Sequence, residues 1–326
     1  MNKKITDTAN DVLAGRPLNK RQIHLLIEEG KKDFFDLLYW ANRIREANFA
    51  NRIRLCSIVP GRLGGCDQDC KFCAQSARYK THITGTKTLS DDEILKAAEE
   101  TCRNGVSSFG IVYSGRAITE SEFTRLEGLV QKIKSSFGLQ ICVSLGIINS
   151  DQALRLAKAG VSRYNHNLET SEKYFPSIVG THKYSDRLNT IKSAIEAGLG
   201  VCAGGIFGIG ETDIDRVDMA LELRTLGVDT VPMNFLHPIE GTPLANVKAL
   251  HPQEVLRIIA IYRFILPRTH LKIAGGRMLN LQDLQSWMFY AGASSLLCGN
   301  CLTTTQRPVE EDMKMIADLG LQCEGG

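Results

Sequence analysis

From residue 52 onward, short apolar runs alternate with longer stretches that carry amphipathic helical patterning. The runs cover 53–59, 108–112, 140–144, 162–165, 200–203, 230–234, 271–274 and 294–297. They have the length and apolar character of buried strands. Most of the helical stretches between them end on a glycine, namely Gly105, Gly138, Gly160, Gly198, Gly227 or Gly292. A glycine there supplies the left-handed residue that closes a helix. Ser90 with Glu93, and Thr119 with Glu122, form capping boxes that open two of the helices. Eight strands alternating with helices predict a parallel sheet, either closed as a barrel or open and doubly wound. A barrel needs roughly 250 residues. The strand count and the length of 326 residues therefore favour one α/β domain, a (β/α)8 TIM-type barrel. Residues 1–48 read as helices, with apolar faces built from Ile23, Leu25, Leu26 and Ile27 and then from Phe34, Phe35, Leu37, Leu38 and Trp40. They are expected to form an N-terminal helical extension on the outside or bottom of a barrel spanning 49–326.

A formal charge of +3 is close to neutral for this length. It points away from nucleic acids and membrane surfaces as partners. No apolar run reaches 18 residues, and the N-terminus leads into polar sequence without a signal peptide, so a cytoplasmic location is expected. In that setting the ten cysteines read as metal ligands before disulfides.

Three of them, Cys66, Cys70 and Cys73, have C-x3-C-x2-C spacing in a short polar loop just beyond the first predicted strand. That is one thiolate fewer than a closed structural zinc site takes, and one fewer than usually holds an iron–sulfur cube. A cube held by three thiolates leaves one iron open to a second molecule. The plainer reading is a set of loop cysteines or a partial zinc site. A loop beyond a barrel strand is where barrel active sites are built. The end of the fourth predicted strand, Asn165-His166-Asn167-Leu168-Glu169, is polar where a buried strand should be apolar, so some of these groups need partners inside the barrel. Such a segment fits a ligand rich in donors and acceptors, such as a ribose diol or a urea, unless it is simply solvent-exposed loop. Asn234, at the end of another strand, adds a further amide. Gly204-Gly205 and Gly208-x-Gly210-Glu211 either let backbone approach a ligand closely or make tight turns. No acidic residue follows at the distance a dinucleotide fingerprint requires.

The cysteine spacing, with Phe72 before the last cysteine, resembles the signature of the radical S-adenosylmethionine (SAM) enzymes. Four further segments narrow the resemblance to the biotin synthase family, which inserts sulfur into dethiobiotin. They are Ser76-Ala77-Arg78-Tyr79-Lys80-Thr81, Tyr164-Asn165-His166-Asn167-Leu168-Glu169-Thr170, Val201-Cys202-Ala203-Gly204-Gly205 and Gly241-Thr242-Pro243-Leu244. The likeness runs over residues 53–305. It implies a (β/α)8 barrel, usually a homodimer, with a [4Fe–4S] cluster on Cys66, Cys70 and Cys73. It implies SAM contacts from Phe72, Asn167, Glu169, Arg187 and Ile206, with Arg187 facing the SAM carboxylate. Asn167 and Asn234 would grip the ureido ring of dethiobiotin, and a low-potential flavodoxin- or ferredoxin-type protein would supply electrons.

The same resemblance implies a second, sulfur-donating cluster, and here the chain departs from the pattern. Relatives hold a [2Fe–2S] cluster with three cysteines and one arginine. Two of those cysteines have counterparts, Cys142 and Cys202, but the other positions read Gly110 and Lys272, and lysine is no substitute for a ligating arginine. Cys56 appears on the first strand, and Cys298 and Cys301 form an extra C-x2-C near the end of the eighth. Cys56, Cys142 and Cys202 on alternate strands are expected to hold an auxiliary iron–sulfur cluster, favoured as a [4Fe–4S] cube with an extra sulfide over a [2Fe–2S] pair. Rival readings are a related radical SAM maturase or mutase, of the hydrogenase-cofactor or methylornithine type, an iron–sulfur electron carrier, and a zinc-structured binding module.

Overall fold

A computed structural model describes residues 1–299, 302–304 and 307–324. Three helices come first: α1 (Lys3–Leu13), α2 (Lys20–Lys32) and α3 (Phe34–Phe49). Asn19 opens α2 with a capping box, accepting from the Gln22 amide while the Gln22 side chain reaches back. Leu37, Leu38, Ala41 and Ile44 put one face of α3 fully into the core.

The barrel follows as β1 (Arg52–Gly64), β2 (Thr86–Thr88), α4 (Asp91–Arg103), β3 (Ser108–Tyr113), α5 (Glu120–Phe137), β4 (Gln140–Ser144), α6 (Ser150–Ala159), β5 (Arg163–Asn165), α7 (Tyr184–Glu196), β6 (Gly200–Cys202) and β7 (Gly205–Phe207). It is completed by α8 (Asp213–Leu226), β8 (Thr230–Phe235), α9 (Pro252–Ile265), β9 (His270–Ile273), α10 (Arg277–Leu281), α11 (Trp287–Tyr290), β10 (Ser295–Leu297), α12 (Val309–Asp318) and β11 (Gln322–Cys323). Helix α3 packs against α9, which ties the N-terminal helices to the barrel wall. Strands β1, β3, β4, β5, β6, β8, β9 and β10 pair in that order, all parallel. Pairing of β10 with β1, through Arg54 with Ser295 and Cys56 with Leu297, closes the ring. All eight predicted strands are present and the barrel is closed, so the open sheet is excluded. The predicted capping boxes at Ser90 and Thr119 both form.

The first strand is longer than its apolar run. Pro60 and Gly61 look like breakers in sequence, but a register shift between Pro60 and Arg62 absorbs them, and β2 pairs antiparallel with Arg62–Gly64. β11 adds a parallel strand beside the start of β1, with Ile53 opposite Cys323. Along β1 the faces alternate. Ile53, Leu55 and Val59 join the main core between barrel and helices, whereas Cys56 packs with Ala274 and Leu297 in a small separate cluster.

Candidate active site

The cluster loop begins where β1 ends. Gly64 has φ +77°, and a side chain there would stand 2.3 Å from the Gly85 carbonyl, so only glycine lets the chain turn at this point. The loop then folds back on itself. The Cys66 amide donates to the Gln75 carbonyl at 3.0 Å, the Ala77 amide to the Cys66 carbonyl at 2.7 Å and the Cys73 amide to the Cys70 carbonyl at 2.9 Å. Asp69 fastens it to the segment after β5. Its carboxylate accepts from the Gly180 and Thr181 amides and from the Thr181 hydroxyl. Burial alone would raise the Asp69 carboxyl, but these donors outweigh it and hold it below the ordinary range.

Burial pushes the Cys70 thiol up to about 12, Arg187 opposing and the neighbouring cysteines adding; it pushes Cys73 to about 11. The desolvated Cys70 and Cys73 thiols keep their protons until a metal group takes the place of those protons. No three His, Cys, Asp or Glu side chains among the described residues converge as they would on a single ion. Ligands to a multi-iron cluster sit on separate irons and stand further apart, so this donor set fits a cluster better than one ion.

Beside Cys73 a cavity of about 290 Å³ opens at the C-terminal mouth of the barrel. Phe72, Asn167, Glu169, Ile206 and Asn234 all line it. Five predicted cofactor and substrate residues, from the cluster loop, the end of β5, β7 and the end of β8, are thereby brought together. Glu169 holds a left-handed backbone (φ +71°) and bridges to Gly205, where a side chain would meet the Glu169 carbonyl at 2.5 Å. This is the close approach for which the glycine pair is needed. Asn234 accepts from the Gly275 amide at 3.0 Å and donates to the Gly205 carbonyl at 3.2 Å. Those two bonds fix its amide, leaving one N–H and one lone pair toward the cavity.

Arg187 stands behind this wall and is not among the residues lining the cavity. Its Nη1 donates to the Asn167 carbonyl at 2.7 Å and lies 3.3 Å from Glu169 Oε1. Its Nε donates to His182 Nε2 at 3.1 Å, and His182 Nδ1 is 2.8 Å from Gln68 Oε1. A continuous chain thus joins the cluster loop to the polar end of β5. Burial lowers His182 to about 4, with Arg187 adding, so the ring is neutral and able to accept. Burial raises the Glu169 carboxyl, with Arg187 and Asn167 opposing.

Deeper in the barrel, Cys56 on β1, Cys142 on β4 and Cys202 on β6 are all buried. Ser108 Oγ lies 3.4 Å from Cys142 Sγ, and Lys272 Nζ stands 4.0 Å from Cys56 Sγ. Burial raises the Cys56 and Cys202 thiols, with Lys272 opposing in both cases. Burial alone would lower Lys272, yet Cys202, Cys56 and Cys142 together raise it. At Gly110 an added Cβ would stand 2.9 Å from Ile58 Cγ2, so Ile58 fills the space a side chain on β3 would use. Cys298 belongs to the main core outside the barrel ring and donates to the Cys56 carbonyl at 3.4 Å. It does not share the small interior cluster of Cys56, Ala274 and Leu297. Cys301 lies outside the described residues, so the extra C-x2-C has no structural account.

Residues 62–223 match the radical SAM superfamily, and residues 232–322 match the biotin and thiamin synthesis associated domain. The chain is 45% identical over 322 residues to the biotin synthase of Geobacter sulfurreducens, covering 97% of this chain and 98% of that one. It is 44% identical over 296 residues to the biotin synthase of Acetivibrio thermocellus, covering 91% and 92%. The chain belongs to the biotin synthase family. It is a radical SAM enzyme, a class defined by a [4Fe–4S] cluster and SAM. Among solved structures, methylornithine synthase superposes with a TM-score of 0.82 at 21% identity over 97% of both chains. The FeFe-hydrogenase maturase HydG from Carboxydothermus hydrogenoformans gives 0.84 at 18% identity, over 99% of this chain and 80% of that one. At such identities the likeness speaks for the fold alone. No helix among the described residues is long and apolar enough to cross a membrane.

Sequence patterning did not single out His182 or Gln68 in this biotin synthase family member. Each lies in an irregular segment with no periodicity to set it apart, and their partnership spans 114 positions. Lys272 departs from the family pattern, and a lysine inside an apolar strand is itself a signal, since a buried charge needs a partner.

Proposed function

We propose that this chain inserts sulfur into dethiobiotin to form biotin, with SAM bound between the Cys66–Cys73 loop and the end of β5. The observation that carries this reading is the convergence of Phe72, Asn167, Glu169, Ile206 and Asn234 on one cavity beside Cys73. The three loop thiols are the protein ligands of the [4Fe–4S] cluster, which when bound and reduced supplies the electron for SAM cleavage and hence hydrogen abstraction at unactivated carbon, chemistry outside the reach of side-chain acids and bases.

The chain's own residues bind, orient and exclude water. Asn167 and Glu169 present an amide and a carboxylate for SAM, held in place by Arg187. Asn234, fixed by Gly205 and Gly275, offers its remaining donor and acceptor to the ureido group, with Asn167 beside it. Phe72 and Ile206 supply the apolar walls, which keep water away from reactive species. Cys56, Cys142 and Cys202 hold an auxiliary iron–sulfur cluster as sulfur donor, a four-iron cube with an extra sulfide in preference to a two-iron pair. A flavodoxin- or ferredoxin-type donor, a homodimeric state and a cytoplasmic location complete the reading.

The test is anaerobic incubation of the iron- and sulfide-loaded protein with SAM, dethiobiotin and a low-potential reductant. Biotin and 5′-deoxyadenosine are the expected products. SAM cleavage that dethiobiotin neither stimulates nor turns into biotin would overturn the substrate assignment.

A further inference from the structure

The barrel interior holds a cation that has no acidic partner among the described residues. Lys272 is buried on β9, with 9% of its surface exposed, among Cys56, Cys142 and Cys202, and its hydrogen-bond partners are thiols. Among the described residues no carboxylate forms an ion pair with it, whereas other deeply buried cations have acidic or carbonyl partners. Arg277 pairs with Asp312, Arg216 with Glu211, and Arg263 donates to four backbone carbonyls. A second cation, Arg163, sits opposite Cys142 in the β4–β5 register. Removing an ammonium from water without a compensating anion is among the costliest things a fold can do. A lysine also shapes an anionic site differently from an arginine. It is a compact charge with three donors and no lone pair, so it acts on sulfur by charge and hydrogen bonding.

We propose that Lys272 is the charge partner of an anionic iron–sulfur group seated on Cys56, Cys142 and Cys202, a positioning residue that compensates the group's negative charge. This rests on the assignment of an auxiliary cluster to those three thiols. Ser108, 3.4 Å from Cys142 Sγ, is a neutral donor on the same rim and cannot replace the charge. Gly110, crowded by Ile58, offers no side chain at its own position on β3. The positive end of the pocket is therefore supplied chiefly from β9.

A nearby positive charge stabilises the more negative, reduced state of a cluster. The test is EPR-monitored redox titration of the anaerobically loaded enzyme, with iron and sulfide counted per chain, for wild type, Lys272→Met and Lys272→Arg. Lys272→Met is expected to disfavour the reduced auxiliary cluster at least tenfold, a shift of about 59 mV to more negative potential for one electron. Alternatively it loses that cluster while Lys272→Arg keeps it. The potential of the Cys66–Cys70–Cys73 cluster stays unchanged and serves as internal reference. Lys272→Arg, which preserves the charge, is expected within threefold of wild type. If Lys272→Met does not fold, Lys272→Gln takes its place with the same expectation. An unchanged auxiliary potential in the neutral variant, or loss of the cluster in Lys272→Arg as well, overturns the charge role while leaving the three-thiol assignment standing. Wild-type protein with only about four irons per chain and one EPR species removes the auxiliary cluster itself, and this proposal with it.

Discussion

Arg187 and Glu169 are 3.3 Å apart, and the same guanidinium nitrogen donates at 2.7 Å to the carbonyl of Asn167. One planar cation therefore sets both the backbone and the carboxylate of the segment that faces the cavity. Its other edge reaches, through His182, to Gln68 in the cluster loop. Lysine can supply the charge but not this forked geometry. Arg187→Lys is expected to weaken SAM binding about tenfold or more while leaving the iron content of the loop cluster at its wild-type value. Equilibrium dialysis with SAM, alongside iron analysis, separates the two; equal loss of both would make Arg187 a general folding residue.

Cys66, Cys70 and Cys73 are the three thiols of the cluster loop and the proposed ligands of its cluster. Replacing any one by Ala is expected to abolish reductive SAM cleavage. The loop's backbone bonds, such as Cys66 to Gln75, do not involve the thiols. The variants should accordingly fold, with a near-UV circular dichroism spectrum close to that of the apoprotein. Full 5′-deoxyadenosine formation by any of the three would refute the ligand assignment.

Asn234→Ala tests the substrate end. The amide bonds Gly205 and Gly275 as well as facing the cavity, so in the proposed role its loss would leave the ureido group short of a partner and loosen the junction of β7 and β9. A cost of about 1–3 kcal/mol in dethiobiotin affinity is expected, with SAM affinity reduced less. Equal losses for both ligands in calorimetric titrations would count against a dedicated substrate role.

The barrel was legible because its signals are local and repeated: apolar runs of strand length, helix-closing glycines and two capping boxes. The cluster loop was legible because three cysteines at fixed spacing lie within eight positions. What escaped was what depends on distant segments meeting. Nothing local marks His182 as the link between Gln68 and Arg187. The extension of β1 past Pro60 depends on pairing with β2, some 25 residues away. Likewise, the alternation that turns Cys56 inward and Cys298 outward shows only once β10 has closed against β1.

The barrel floor carries a pH dependence. His270 is buried with its ring tilted against that of Phe49, centroids 4.5 Å apart, and burial, with Arg54 adding and Glu324 opposing, lowers it to about 4. The unfolded chain protonates this ring near its ordinary value of 6.5, while the folded chain resists until about 4. Protons therefore favour the unfolded state across that window, so this contribution to stability is intact above 6.5 and falls as the pH drops toward 4. The two ends differ by on the order of 3 kcal/mol. The urea midpoint should fall more steeply from neutral to acidic pH for wild type than for His270→Gln; parallel pH profiles for the two proteins would contradict the assignment.

The composition of the deep site is decided by Cys56. Its plain role is that of a small buried hydrophobe against Ala274 and Leu297, the use to which free cysteines are often put. Against that, it faces the same lysine as Cys142 and Cys202, on strands that alternate around the ring, where inward side chains share a layer. Three thiolates around one point suit a cube with its fourth iron open. The two-iron pattern that the family resemblance implies needs a cysteine at the β3 position that Gly110 occupies here. Wild-type protein is therefore expected to carry about eight irons per chain. Cys56→Ser, nearly isosteric, should keep SAM cleavage, drop to about four irons and lose biotin formation. Because serine preserves the packing, unchanged thermal stability alongside lost iron would separate ligation from core filling. A wild-type count near six, or undiminished biotin synthesis by Cys56→Ser, would return the two-iron donor to favour and leave Cys56 as packing.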